Sequence, residues 1–180
     1  MTRYAVAAAV VVCATLASGA QLSDPIPEPI RTRGLTVGLR DVARLPDTRG
    51  LRPASEDTAP GAWARVSFVR ELPDGRRFAN DSRGRLYLLE GGTQPKLYLD
   101  LAAVYPLGFY RSLQSGFIAF TFHPEFDRNG LLYTVHGEKA EGNPATPHFI
   151  PPGFGPAEVT YQTVFTEWRA NSPGAAVFEG

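Results

Sequence analysis

Residues 114–137, which read QSGFIAFTFHPEFDRNGLLYTVHG, limit the possible folds more than any other stretch of the sequence. Two apolar runs, residues 116–122 and 131–136, lie on either side of the turn-rich segment HPEFDRNG. Apolar runs of this length, separated by turn residues, are typical of two antiparallel strands and their connection. The stretch therefore predicts a β-hairpin.

The connection between the two predicted strands carries its own signals. His123 and Pro124 end the first strand, because proline fixes φ and has no N–H to donate to a neighbouring strand. Asn129 and Gly130 stand just before the second strand, and these residue types adopt positive φ most easily. We therefore expect the chain to reverse between His123 and Gly130.

Short strands with tight turns also occur upstream and downstream of the hairpin. The turn sequences PDG, SRG and GG separate four strand-like runs, at residues 65–71, 77–80, 85–90 and 96–101. Such a series predicts an antiparallel four-stranded meander, which is how one blade of a β-propeller is built. Further along, residues 158–168 alternate as a half-exposed outer strand does, and residues 175–179 indicate a shorter strand.

These patterns predict an all-β protein made of antiparallel four-stranded blades of a β-propeller. Residues 21–62 are rich in proline and charge, so we expect an irregular N-terminal arm there. Residues 63–180 supply one blade and most of a second, which leaves open sheet edges of the kind that invite aggregation. We therefore expect a partial propeller domain that is truncated at its C-terminus, with a small closed sandwich as the alternative.

The charge balance argues against two kinds of partner. The 180 residues carry 18 Lys and Arg against 18 Asp and Glu, so the formal net charge is zero and the pI is near 6.8. Nucleic-acid binding leaves a basic footprint, and binding to a membrane surface leaves a polybasic patch. The sequence shows neither feature, so we expect neither nucleic acid nor a membrane surface as a partner.

Residues 1–20 have the layout of a secretory signal peptide. Arg3 provides the positive charge, residues 4–17 are apolar, and residues 18–20 are small and suit a cleavage site. We expect a secreted or periplasmic protein with no membrane segment after cleavage. A membrane-anchoring helix is the alternative, although the apolar run is shorter than the roughly 20 residues that a span needs. Cys13 lies in this segment, so the mature chain would contain no disulfide.

The hairpin sequence resembles the glucose/sorbosone dehydrogenase family, whose members are sugar dehydrogenases that depend on pyrroloquinoline quinone (PQQ). The family pattern is a Gly-rich entry, an apolar strand, FHP, a short acidic turn, NG and a second strand. The matching residues are Gly116, Phe120, Phe122, His123, Pro124, Phe126, Asn129, Gly130, Leu132 and Tyr133. Upstream, LPDGRRFANDSRGRLYLLEGG is similar to the family's first blade. The resemblance covers residues 66–168, and the hairpin is its most specific part.

The resemblance implies a six-bladed propeller, of which this chain would be the N-terminal one to two blades. It also implies PQQ at the channel mouth, Ca²⁺ associated with the quinone, a sugar substrate oxidised by hydride transfer, and an electron acceptor. By position, Gln114 matches a glutamine that contacts PQQ in the family's soluble glucose dehydrogenases. A neutral amide suits that contact, because it donates to a quinone carbonyl or a carboxylate without a charge to desolvate. The alternative for Gln114 is a solvated loop residue.

The sequence assigns no catalytic residue and no metal ligand. The family's catalytic base is a histidine in a later loop, and its cationic quinone-binding residues and Ca²⁺ ligands also come from later blades. We interpret His123 and His136 as polar strand-end residues, and His148 lies in the Pro/Gly-rich loop at residues 142–156. A metal site made from these three histidines with Glu138 or Glu141 is conceivable on residue type alone, but the spacing matches no zinc pattern.

Two classes of function remain. The first is the N-terminal portion of an exported PQQ-dependent sugar or aldose dehydrogenase, which we expect to be inactive by itself because the catalytic base lies elsewhere. The alternative is a non-catalytic β-propeller module used for binding or interaction, because propellers host many functions and a fold does not fix one of them.

Overall fold

The structure is a computed structural model that describes residues 34, 38–50, 63–90, 94–112, 115–140 and 148–180. It divides the chain into two units, Met1–Leu39 and Arg40–Gly180. All of the strands and helices given below belong to the second unit. The predicted signal peptide, residues 1–20, lies outside the described residues. No helix in the described part of the chain is long and apolar enough to cross a membrane.

The chain is mostly β-structure with few helices. Its strands are β1 (Val66–Glu71), β2 (Arg77–Asp81), β3 (Arg85–Leu89), β4 (Lys96–Asp100), β5 (Phe109–Tyr110), β6 (Phe117–Phe122), β7 (Leu131–Lys139) and β8 (Tyr161–Arg169). Two one-turn helices, α1 (Leu101–Val104) and α2 (Phe126–Asn129), and a 3₁₀ turn (Pro156–Glu158) lie in the connections. The all-β prediction is confirmed.

The first four strands form sheet A, an antiparallel meander in the order β1-β2-β3-β4. Two of its connections are the predicted turns at PDG and SRG, where Gly75 has φ 85° and Gly84 has φ 100°. The predicted GG turn, at residues 91 and 92, lies outside the described residues. Positive φ is strained for residues with a Cβ, so glycine makes the tight reversals at PDG and SRG possible. The four-stranded meander that the sequence predicts is therefore confirmed.

The remaining strands form sheet B around β7. Strand β8 pairs antiparallel with the whole length of β7, from Leu131 opposite Arg169 to Lys139 opposite Tyr161. On the other edge of β7, β6 pairs with residues 132–136 and β5 pairs with residues 137 and 138. The pairing of β6 with β7 confirms the hairpin.

One apolar core lies between the two sheets. Phe78 of sheet A contacts Phe122 of sheet B, with ring centroids 4.6 Å apart, and it contacts Tyr98 at 5.0 Å. Strand β6 of sheet B lies against β1 and β2, the first two strands of sheet A. Asn80 connects them by hydrogen bonds, because its amide donates to the Phe117 carbonyl at 2.7 Å and accepts from the Phe68 N–H at 2.8 Å.

The other face of sheet A is covered by the N-terminal arm. Ala43 and Leu45 pack on Ala79, Tyr87 and Leu89, which form a second small apolar cluster. Next to this cluster, the arm is held by a buried polar contact. Thr48 is fully buried, hydrogen-bonds the carboxylate of Asp81 and accepts from the Arg83 guanidinium at 2.9 Å. Residues 43–48 are therefore integral to the second unit.

The structure corrects several details of the sequence prediction. Asn129 does not adopt positive φ, because it ends α2, and only Gly130 turns the chain, with φ 68°. Strand β8 begins at Tyr161 because the 3₁₀ turn occupies the start of the predicted strand. Residues 175–179 form no strand. Phe178 instead packs on Tyr98 and Trp168, and its N–H donates to the Tyr98 carbonyl.

Candidate functional site

Gln114, the predicted PQQ contact, lies outside the described residues. Ser112 and Ser115, near it on either side, are described and belong to the connection between β5 and β6. The described residues around this connection are therefore the ones to compare with the predicted PQQ contact.

Buried polar side chains are concentrated where this connection runs. They come from the end of β2 and the turn after it, from the connection between β5 and β6, and from the second half of β7. We call this set the polar end, and its members are Asn80, Asp81, Ser82, Arg83, Arg111, Ser115, His136 and Glu138. Each member is less than a tenth exposed. Because burial of polar groups is costly without partners, such a concentration marks either a structural network or a binding site.

Two glycines bring the three parts of the polar end together. Gly116 has φ 121°, and a Cβ there would collide with the Ser82 carbonyl oxygen and lie 3.1 Å from Cγ of Arg111. A Cβ at Gly137 would collide with the hydroxyl of Ser115. The backbones are also hydrogen-bonded, since the Gly137 N–H donates to the Gly116 carbonyl at 3.0 Å. These close approaches require residues without a Cβ.

His136 and Glu138 form a buried pair at the polar end. They are two residues apart on β7, so their side chains lie on the same face of the strand. Nε2 of His136 lies 2.9 Å from Oε1 of Glu138, and neither side chain is more than 1% exposed. Burial lowers the pKa of His136, although the hydrogen bond and the charge of Glu138 act in the opposite direction. The imidazole is therefore neutral at pH 7.

Tyr105 covers this pair. Its ring stacks on the His136 imidazole, with centroids 5.2 Å apart and planes 20° from parallel, and Phe109 lies further along at 6.3 Å. Burial raises the pKa of Tyr105, the charge of Glu138 adds to the rise, and a hydrogen bond with Thr166 opposes it. The segment between sheets A and B is thus fixed on the face of sheet B by an aromatic contact with His136.

We expect the buried imidazole to make stability depend on pH. The pKa of His136 is lower in the folded chain than its ordinary value of about 6.5, so below that pH the unfolded chain binds more protons. Stability should therefore be lost as the pH falls below about 6.5, with a slope of at most about 1.4 kcal/mol per pH unit. Urea unfolding between about pH 5 and 8 measures this slope.

The matched variants for this measurement are His136→Gln and His123→Gln. His136→Gln should remove the slope, whereas His123→Gln should keep it, because His123 is not fully buried. A slope that persists in His136→Gln would contradict the assignment.

The polar end contains donor groups of the chemical type that bind anionic cofactors, and these groups are buried. The hydroxyls of Ser82 and Ser115 are buried without a hydrogen-bond partner among the described residues. Nδ1 of His136 also lacks such a partner, and it is an acceptor because Nε2 donates to Glu138. Hydroxyls and the guanidinium of Arg111 are groups that donate to carboxylate and quinone oxygens. The described residues hold no group of three or more His, Cys, Asp or Glu side chains that could bind a metal ion. The residues that are described therefore do not fit the Ca²⁺ that the resemblance implies.

The structure separates the three histidines. His123 follows β6, and its Nδ1 accepts from the Glu125 N–H at 3.1 Å, as the strand-end interpretation predicts. His136 is not a strand-end residue, because β7 continues to Lys139. Both ring nitrogens of His148 are buried and lack partners within the described part of the chain. The histidines at positions 123 and 136 lie at opposite ends of the β6–β7 hairpin, since Phe117 pairs with His136 and His123 follows Phe122.

Sequence reasoning missed the pairing of His136 with Glu138. The signal was present, because a histidine and a glutamate two residues apart on a strand share a face. The predicted strand ends at His136, so from the sequence Glu138 is considered only as a possible metal ligand and not as a strand partner of His136. Arg111 and Ser115 were also missed, and no motif in the sequence marks them.

Comparison with known proteins supplies no family for this chain. No family model, no curated protein and no solved structure matches it.

Proposed function

We propose that this chain is the N-terminal portion of an exported PQQ-dependent sugar dehydrogenase, with sheets A and B as its first two propeller blades. The observation that carries the proposal is the position of the β6–β7 hairpin. The hairpin has the sequence that resembles the glucose/sorbosone dehydrogenase family, and it follows a complete four-stranded meander and packs against the first strands of that meander. Consecutive blades of a propeller are arranged in this way.

Exposed aromatic side chains on one face of sheet B support the presence of further blades. The face of β8 that points away from the core carries Tyr161 and Phe165, which are 45% and 79% exposed. Tyr110 stacks on Tyr161 at 4.3 Å and extends the same face. These aromatic side chains are grouped with exposed polar ones on the same face of β8, namely Thr163, Glu167 and Arg169. Grouped exposed aromatic side chains mark a surface that another element covers. In the proposed protein, that element is the third blade.

The polar end is the part of this chain that would meet the cofactor. Ser82 and Ser115, whose hydroxyls are buried, would support the wall of the site from within, and Arg111 would place a positive charge near the PQQ carboxylates. Gln114 would add a neutral donor from the same connection. When bound, PQQ supplies the redox chemistry by accepting hydride from the sugar.

His136 and Glu138 would act by positioning and not by contact with the sugar. The imidazole is fully buried beneath Tyr105, so it is not accessible to a substrate. Its stacking contact holds the segment that leads into β5, and β5 leads into the connection that contains Arg111 and Ser115. The pair therefore fixes the wall of the cofactor site, while the base that takes the sugar's hydroxyl proton would come from a later blade.

An activity assay tests the proposal. The complete gene product, reconstituted with PQQ and Ca²⁺, should reduce an artificial electron acceptor when aldoses are added, because a full set of blades supplies the missing base. The 180-residue chain under the same conditions should show no turnover. No activity of the folded complete product with a broad panel of sugars would contradict the proposal and favour a non-catalytic propeller module.

A further inference from the structure

A cleft lies at the end of the β6–β7 hairpin that is opposite the polar end. It has a volume of about 350 Å³ and is formed by the β1–β2 turn and the β6–β7 connection. Its lining combines apolar and titratable side chains, namely Leu72, Pro73, Asp74, Arg76, His123, Pro124, Phe126 and Asp127. We propose that this cleft binds a small neutral polyol, that is, a compound with neighbouring hydroxyl groups.

His123 supplies a hydrogen-bond donor whose tautomer is set by its neighbours. Its Nδ1 accepts from the Glu125 N–H at 3.1 Å and lies 2.8 Å from the side-chain nitrogen of Asn129. The orientation of the Asn129 amide is fixed, because its oxygen accepts from the Leu131 N–H at 2.9 Å. Nδ1 is thus an acceptor, and in the neutral imidazole the proton lies on Nε2. His123 therefore offers an N–H group to a ligand in the cleft.

Arg76 supplies further donors in a fixed plane. Its Nε donates to Asp74 at 2.7 Å, and its Nη1 donates to the Pro173 carbonyl at 2.6 Å. The guanidinium also lies 5.9 Å from the ring centroids of Phe78 and Phe126. A guanidinium has five N–H groups, so these two bonds leave others for a ligand.

Asp74 and Asp127 supply acceptors. Burial acts to raise the pKa of Asp74, but hydrogen bonds from the backbone and side chain of Arg76 outweigh it, so the pKa lies below its usual value. The carboxylate of Asp74 therefore stays ionised at neutral pH. Asp127 lies in α2 on the other side of the cleft and adds a second carboxylate.

The balance of charge selects the class of ligand. Two carboxylates face one guanidinium and a neutral imidazole, so the cleft carries a net negative charge that disfavours anions. A hydroxyl group accepts from an N–H and donates to a carboxylate at the same time, so neighbouring hydroxyls satisfy both kinds of lining group. Pro73 and Pro124, which are exposed, provide apolar surface for the C–H groups of such a ligand.

The test is a titration of the 180-residue chain, without PQQ, with a cyclitol and with a hexitol, followed by NMR. Neither compound has the anomeric carbon of an aldose, so binding here is separate from the proposed dehydrogenase reaction. We expect saturable binding with a Kd on the order of 1 mM. Asp127→Asn should weaken it at least about fivefold, because one strong acceptor is lost. His123→Phe should have a similar effect, because the N–H donor is lost.

Two controls keep the test decisive. Glu71→Gln changes an exposed carboxylate on β1 outside the cleft and should leave the Kd unchanged. Acetate and inorganic phosphate should bind more weakly than the polyols, and Asp127→Asn should strengthen any anion binding by removing a negative charge. No polyol binding by the folded chain, or polyol binding that Asp127→Asn leaves unchanged, would overturn the proposal. Failure here would leave the dehydrogenase proposal standing, because that proposal rests on the sequence and position of the β6–β7 hairpin and not on a ligand in this cleft.

Discussion

Glu138→Ala should destabilise the chain by about 1–3 kcal/mol, which is the usual cost of leaving a buried neutral polar group without its hydrogen-bond partner. The carboxylate is 1% exposed and bonds Nε2 of His136, which is itself fully buried. The variant leaves the imidazole without this partner in an apolar setting beneath Tyr105. Urea unfolding at pH 7 measures the loss, provided that the slope of the transition stays constant.

Two comparisons separate the stability lost with the His136–Glu138 hydrogen bond from the stability lost on removing any glutamate side chain. Glu71→Ala removes an exposed glutamate from β1 and should change stability by less than about 0.5 kcal/mol. Joint replacement, His136→Leu with Glu138→Leu, should cost less than the sum of the two single changes, because no polar group then lacks its partner. If the loss of stability in the double variant equals the sum of the losses in the two single variants, the pairing of His136 with Glu138 is contradicted.

Gly116→Ala should destabilise the chain by more than about 2 kcal/mol, through both backbone strain and a steric clash. The φ of Gly116 is 121°, which residues with a Cβ rarely adopt, and the new Cβ would meet the Ser82 carbonyl oxygen. That carbonyl cannot retreat easily, because it accepts from the Phe117 N–H at 2.9 Å and so joins sheet A to β6. Thermal unfolding and urea unfolding both measure the effect.

Gly153→Ala is the matched control for strain without a clash. Gly153 also has positive φ, at 90°, but a Cβ there would meet nothing within 4 Å. We expect this variant to lower the free energy of unfolding by about 1 kcal/mol, because only the conformational cost of positive φ applies. If Gly116→Ala and Gly153→Ala lower stability equally, the close approach of β6 to Ser82 does not contribute to the cost of Gly116→Ala.

The strands could be predicted because local chemistry specifies them. The turns at PDG and SRG need glycine at positive φ, and Gly75 and Gly84 adopt it. Proline at position 124 stops β6, which ends at Phe122, and the apolar alternation on each side sets the hairpin. Where turn residues and the alternation of apolar and polar residues agree, the meander can be predicted without any information on contacts between distant residues.

Other features depend on contacts between residues that are far apart in the sequence. Residues 175–179 have a strand-like composition, but Phe178 gains more by burial against Tyr98 and Trp168 than by pairing in a strand. The outer strand alternates as predicted, yet Tyr161 and Phe165 are on its exposed face. The polar end brings together residues 80–83, Arg111, Ser115 and residues 136–138, and only the packing of β6 against sheet A places them side by side.

The most direct test of the account is whether the complete gene product retains PQQ. The purified protein would be incubated with PQQ and Ca²⁺, passed through gel filtration and examined for quinone absorbance in the protein peak. We expect PQQ to co-elute with the protein, and Gln114→Ala and Arg111→Ala each to lower the amount retained, because both residues belong to the connection that enters β6. A folded protein that elutes without PQQ absorbance would contradict the assignment of the polar end as a wall of the cofactor site.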